Sequence, residues 1–308
     1  MTRRLVPWLV PAAAAALLEP FVRSDGGDTW LFVRAGRTLL SPHWTHAFAD
    51  SSIQAGPLQL ALYGSVGRSP VVLAAVLAAT AALLVATAAR AAGVARPRVL
   101  ALAGVAAVAT GFTTHVFDAG HPADGFLPLL WIVAAAEVRR GRTVRAGLLV
   151  GLSAGFETWG ILGLAVFALA PTRSAVARSA ATACAVVGLL FLPFVLFGDF
   201  AMTGYRWQIA SQSLLGQVFA PGTAFGWPLR LAQGAAALGA GVLVARALRT
   251  SVHAVWAAPI AVVLARLALD PIDHGYYFDG VQAAGLVALA LVAARGLRVP
   301  RLAHEPVA

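Results

Sequence analysis

The sequence predicts an all-α, polytopic membrane protein of about ten membrane helices, two of them a short hairpin, built as a single membrane domain over 1–308. Three observations lead to that class. Hydrophobic residues make up 59% of the 308 and charged residues 12%, about half the charge of a soluble domain. Mean hydropathy is +0.79. The apolar residues fall in runs long enough to cross a hydrocarbon core of about 30 Å. A water-soluble globule is thereby excluded, as is disorder, which requires low hydrophobicity. The single Cys184 rules out a disulfide scaffold and reads as inert packing within a span.

The runs lie near 5–22, 70–90, 99–115, 180–197, 227–248, 252–269 and 279–295, with 124–138 as a short eighth. The first follows Arg3 and Arg4, as the apolar core of a signal peptide would. It ends in Leu-Leu-Glu-Pro and not in a small-residue cleavage site, so it reads as a retained first span.

Orientation follows from arginine, which supplies every Lys/Arg charge. Clusters at 3–4, 90–98, 139–145, 173–178, 246–249 and 295–301 hold 16 of the 23 arginines and, among the acids, only Glu137 and Glu305. The net charge of +10 therefore divides into about +14 on one side and −4 on the other. By the positive-inside rule the first side, with both termini, is cytoplasmic. The basic balance is thus a topology signal; the expected partner is the lipid bilayer, with no nucleic acid.

Residues 146–170 are the informative exception. Arg145 and Arg173 flank them and belong to the same side, yet about 12 residues per crossing span only some 18 Å. The segment is expected to form a hairpin of short helices with Gly155-Phe-Glu-Thr-Trp-Gly160 at its tip. The remaining external segments are 23–56, 198–226, 269–279 and the smaller 116–123. Within the first, Thr29–Leu40 has the composition of an amphipathic helix in the interface.

Candidate chemistry lies in these loops. Asp25 and Asp28, in Asp-Gly-Gly-Asp, suit a general base at the membrane surface, or a helix cap with Asp25 at the N-cap and Asp28 in the first turn. Glu157 at the hairpin tip is a functional candidate if it sits at membrane depth and a solvated turn residue if the tip reaches water. His115, Asp118, His121 and Asp124 invite a metal, but their spacing matches no zinc or calcium template. The sequence therefore indicates no metal site and no cofactor, a divalent cation being the one option left open. Asp270, Asp273, His274, Tyr276, Tyr277 and Asp279 cluster in the last external loop, as an interfacial belt or a sugar or phosphate pocket. Arg266 either pairs with Asp270 or binds an anionic group, and Arg206 in Gly-Tyr-Arg-Trp is a second such cation.

The order of these features resembles the GT-C superfamily of integral-membrane glycosyltransferases, most closely the family 87 polyprenyl-phosphate-sugar-dependent, mannosyltransferase-like enzymes of actinobacteria. The resemblance rests on Asp28-Thr-Trp-Leu-Phe-Val-Arg-Ala-Gly-Arg after the first helix, Ala-Gly-Pro-Leu-Gln-Leu, Gly120-His-Pro, and the hairpin Ala-Gly-Leu-Leu-Val-Gly-Leu-Ser-Ala-Gly-Phe-Glu-Thr-Trp-Gly. It covers roughly 1–197 as a core module. Residues 198–308 add C-terminal helices and loops that are similar mainly through Asp-Pro and Tyr-Tyr. The resemblance implies inverting transfer of a sugar, hexosyl or pentosyl, from a polyprenyl-phosphate donor to a glycan, lipid or protein hydroxyl outside the plasma membrane. It implies Asp28, in competition with Asp25, as general base. Arg206, Arg266 or His274 would stabilise the departing lipid phosphate. His121, Asp124 and Glu157, with Tyr276 and Tyr277, would line the substrate site. The alternatives are a transporter or flippase of a lipid-linked or anionic substrate, since interrupted helices and intramembrane acids also serve transport, and an inactive scaffold of the same fold.

Overall fold

A computed structural model describes residues 6–22, 27–118, 120–272 and 274–296. The chain is an all-α membrane protein, about 75% helical with almost no strand. Its helices are α1 (Val6–Val22), α2 (Thr29–Leu39), α3 (Pro57–Val66), α4 (Pro70–Ala91), α5 (Pro97–Ala109), α6 (Phe112–Asp118), α7 (Ala123–Arg139) and α8 (Thr143–Phe156). A 3-10 segment, Thr158–Leu169, precedes α9 (Arg173–Phe197), α10 (Trp227–Ala247), α11 (Ala254–Ala268) and α12 (Asp279–Gly296). Proline opens α3, α4 and α5 and follows the first residue of α10, where its missing N–H costs nothing and its fixed φ suits the first turn.

Four helical stretches, Pro70–Ala91, Arg173–Phe197, Trp227–Ala247 and Gly275–Arg295, are long and apolar enough to cross a membrane. The hydropathy runs predicted more full-length helices than this. The run at 99–115 divides into α5 and α6 at Thr110-Gly111, where Gly111 takes φ +74°. A hydropathy run registers apolarity and is blind to a left-handed glycine within it. Cys184, expected to be packed, is exposed on α9, whose most apolar stretch is only 11% buried.

The core is organised around α7, which packs against α4, α8, α11, α12 and the 3-10 segment. Trp131 at its centre is fully buried. The indole N–H donates to Ser153 Oγ and to the Gly160 carbonyl, both at 3.1 Å, and so ties both arms of the expected hairpin to one helix.

That hairpin is present, with one change. Its first arm is α-helical, and Glu157 at the turn is extended (φ −152°, ψ 144°). The second arm is 3-10 for 12 residues, about 24 Å at the 3-10 rise against about 21 Å for the 14 residues of α8 at the α-helical rise. Residues three apart eclipse in a 3-10 helix. Gly160, Gly163, Val166 and Leu169 accordingly form one buried row, while Thr158, Ile161 and Leu164 form a partly exposed one. The two glycines lie directly against Ser153 and the Trp131 ring, where a Cβ would come within 2.3 and 2.4 Å.

The arginines collect at one end of the bundle. Glu137 accepts from Arg140 and Arg142. Arg139 donates to the Ser251 carbonyl, Arg140 to that of Ala91, and Arg249 to that of Pro171. Arg295 meets His253, and Arg90 lies over the Trp8 ring at 5.6 Å. Both ends of the hairpin, the start of α1 and the end of α12 therefore share this end. The external-loop candidates gather at the other.

The amphipathic helix forms as α2, but it is backed by α3 and does not lie alone. Gly36 and Gly64 let the two backbones touch: a Cβ on Gly36 would lie 2.1 Å from the Leu60 carbonyl oxygen. We expect Gly36→Ala to force the helices apart at a cost of about 1–3 kcal/mol, the usual range for overpacking. The check is a lower thermal unfolding midpoint in detergent.

Candidate functional site

Asp28 occupies the N-cap position of α2, yet its side chain makes no capping hydrogen bond. It reaches across to His121, whose Nε2 lies 2.9 Å from Asp28 Oδ2. The capping reading of Asp28 is thus replaced by a side-chain pair between segments 93 residues apart. Asp25 lies outside the described residues.

Gly120 makes this pair possible. It adopts φ +75°, and a Cβ there would lie 2.7 Å from the Thr29 nitrogen, so only glycine lets the 120–122 turn press against the start of α2. Tyr63 Oη and Gln59 Nε2 of α3 donate to its carbonyl at 3.1 and 3.3 Å. His121 is fixed from the sides by Phe32, edge-on at 5.3 Å, and by Tyr276, which stacks on it at 4.9 Å. His274 stacks on the far face of that contact, 5.2 Å from Tyr276.

The His121 hydrogen bond is the main influence on Asp28 and holds its carboxyl below the usual carboxylate range. Partial burial opposes this, and the charges of His121 and His274 add to it. Burial disfavours the imidazolium of His121, but the bond to Asp28 and the nearby charges of Glu157 and Asp124 outweigh it and lift His121 above the ordinary imidazole value. Each partner thus favours the charged form of the other.

Beneath it lies a second polar layer. Arg266, 7% exposed, pairs with Asp124 at 3.1 Å and more loosely with Asp270 at 3.9 Å. Its guanidinium covers the Trp159 ring at 4.1 Å and the Tyr277 ring at 5.0 Å. The predicted partner Asp270 is held instead by Arg230 at 2.9 Å and Gln233 at 3.2 Å. Arg230 lies over Trp207 at 4.1 Å. Buried charges of this kind persist only when paired, and flat guanidinium groups over indoles add cation–π attraction.

These groups border a cavity of about 390 Å³. Asp28, His121, Glu157, Arg230, Arg266 and His274 line it, together with the aliphatic Ile161, Leu162, Leu231 and Leu238. Tyr276 and Tyr277 also line it, while Asp124 stands behind Arg266. Arg206 is not among the residues lining this cavity; it borders an adjoining groove with Gln208 and Ala210 that shares Trp207 and His274 with it. The loop 115–124 also divides, since His115 turns to Asp279 (3.1 Å) while His121 and Asp124 meet Glu157. Among the described residues, these last three are the group placed so that a metal ion could be held.

Arg230, Gln233 and Trp207 were missed in the sequence. Arg230 sits four residues into α10, an apolar helix, and its external position was the signal available. Compared with family models, curated proteins and solved structures, the chain matches none.

We expect His121→Ala to raise the pKa of Asp28, because the hydrogen bond that favours its charged form is lost while the burial that disfavours it remains. A carboxyl carbon NMR titration of Asp28 checks this; an unmoved titration would contradict the pairing.

Proposed function

We propose that the chain is an inverting glycosyltransferase that moves a sugar from a polyprenyl-phosphate donor to an acceptor hydroxyl on the extracytoplasmic side of the plasma membrane. The observation that carries the reading is the mixed lining of the cavity: two carboxylates, two imidazoles and two guanidinium groups share it with aliphatic side chains. Leu231 is both a wall residue and 67% exposed on the outer surface of α10. This suits a donor whose isoprenoid tail stays in lipid while its phosphate and sugar enter.

In this reading Asp28 takes the proton of the acceptor hydroxyl as that oxygen attacks the anomeric carbon from the face opposite the phosphate. The new glycosidic C–O bond forms, the bond to the phosphate oxygen breaks with its electron pair, and the configuration inverts. Arg266, Arg230 and His274 neutralise the charge that develops on the leaving phosphate; Arg230 takes the part first expected of Arg206. His121 orients Asp28, and Glu157 and the tyrosines face the sugar hydroxyls.

The topology belongs to the same proposal: ten membrane helices, a cytoplasmic arginine end with both termini, and an outward-facing cavity. It is supported by the grouping of Arg90, Arg139, Arg140, Arg142, Arg249 and Arg295 at one end of the bundle, away from the cavity. The first 197 residues supply Asp28, His121 and Glu157, and the rest supply Arg230, Arg266 and His274, so the core module and C-terminal helices act together.

Asp28→Asn should lower transfer from polyprenyl-phosphate sugars in membranes by at least about 100-fold, as loss of a general base does, with donor binding retained. Full activity would overturn the base role, and flux of an intact lipid-linked substrate without any glycosidic product would favour a transporter. Activity should fall on the acid side as Asp28 protonates, below the usual carboxylate range. A cysteine placed at Ser174 in a Cys184→Ala background should react only from the cytoplasmic side; labelling from outside would reverse the orientation.

A further inference from the structure

His121, Asp124 and Glu157 each offer one ligand atom, and the three atoms lie within 4.8 Å of one another. Metal–oxygen and metal–nitrogen bonds of about 2.0–2.2 Å keep any two ligand atoms within about 4.4 Å. Ligands at tetrahedral angles lie about 3.3–3.6 Å apart at those bond lengths, so the set closes by up to about 1.5 Å to hold an ion.

A second observation points the same way. Asp124 is 1% exposed, and while its Oδ1 takes Arg266, its Oδ2 has no hydrogen-bond partner; Glu157 Oε2 is likewise buried and without one. Carboxyl oxygens removed from water and left without a partner call for a cation or a donor. Arg266 does not serve both, since Asp270 also draws on it.

The imidazole is also arranged as a metal ligand. A metal-bound histidine commonly donates its other ring N–H to a carboxylate, which fixes the ring and raises its basicity. With Nε2 holding Asp28, Nδ1 is the nitrogen left for an ion. We propose that His121, Asp124 and Glu157 form a divalent cation site at the wall of the cavity, of the one-imidazole, two-carboxylate kind that suits manganese or zinc. His121 and Glu157 line the cavity, so an ion they hold keeps open positions toward whatever anionic ligand enters. The proposal stands whether the cavity supports transfer or transport. The sequence pattern missed it because the third ligand comes from the hairpin tip, not from the loop 115–124.

The test uses full-length protein in detergent, stripped with EDTA and titrated with Mn²⁺ while the paramagnetic resonance of the free aqua ion is followed. The expected result is a saturable loss of free signal, reversed by Zn²⁺, with nitrogen hyperfine coupling in the bound spectrum. Glu157→Gln and His121→Ala should each weaken binding at least tenfold, the latter also abolishing the nitrogen coupling, while Glu137→Gln at the arginine end binds as the wild type does. Absence of saturable binding, or a bound ion without nitrogen coupling, overturns the site even if the variants fail to fold. So does unchanged affinity in folded Glu157→Gln and His121→Ala.

Discussion

The buried guanidinium of Arg266 is the constraint on which the site depends. A permanent charge at this depth has to be met by carboxylates and covered by polarisable surface, and no single element supplies all of that. Asp124 comes from the first turn of α7, Asp270 from the end of α11, Trp159 from the hairpin and Tyr277 from the turn before α12. Satisfying one cation therefore assembles four separate segments. The same requirement passes outward, because Asp270 is shared with Arg230, which brings α10 and Trp207 into the wall.

The upper layer is held by different physics. The Asp28–His121 pair is half-open to solvent and would contribute little by charge alone. Its position is set by backbone: the left-handed Gly120, its carbonyl held from α3, and the Gly36–Gly64 approach that seats α2 on α3. A rigid scaffold beneath a polar, accessible pair is the arrangement expected of residues that meet a ligand. The stack of His274, Tyr276 and His121 joins the two layers.

Much of this was legible in the sequence. Apolar runs, scarce charge and the grouping of arginines gave a helical membrane protein and a short hairpin over 146–170, because these follow from length, hydropathy and like-sided flanks. The loops bearing Asp28, His121, Glu157, Arg266 and the tyrosines could be named, because polar residues are rare enough in such a chain to stand out. Less legible was the form of the second hairpin arm. Its faces repeat every three residues, and a search for 3.6-residue stripes passes over it. The break at Gly111 was hidden for a similar reason, since apolar composition continues across it.

Pairing lay beyond any local signal. Arg266 and Asp270, four residues apart at the end of α11, were the natural partners by spacing and do approach to 3.9 Å, yet Asp124, distant in sequence, sits nearer to the guanidinium and Arg230 is nearer to Asp270. Arg206 lies in a loop and Arg230 in the first turn of α10, and only the folded chain shows which of them lines the cavity. The sequence by itself determined the class of protein, its sided charge and the short list of residues with chemistry to offer, because solvation and helix length act on each segment separately. The tertiary structure decided which of those residues meet, because in a low-dielectric interior each buried charge takes whichever partner packing brings nearest, and packing is a property of the whole bundle.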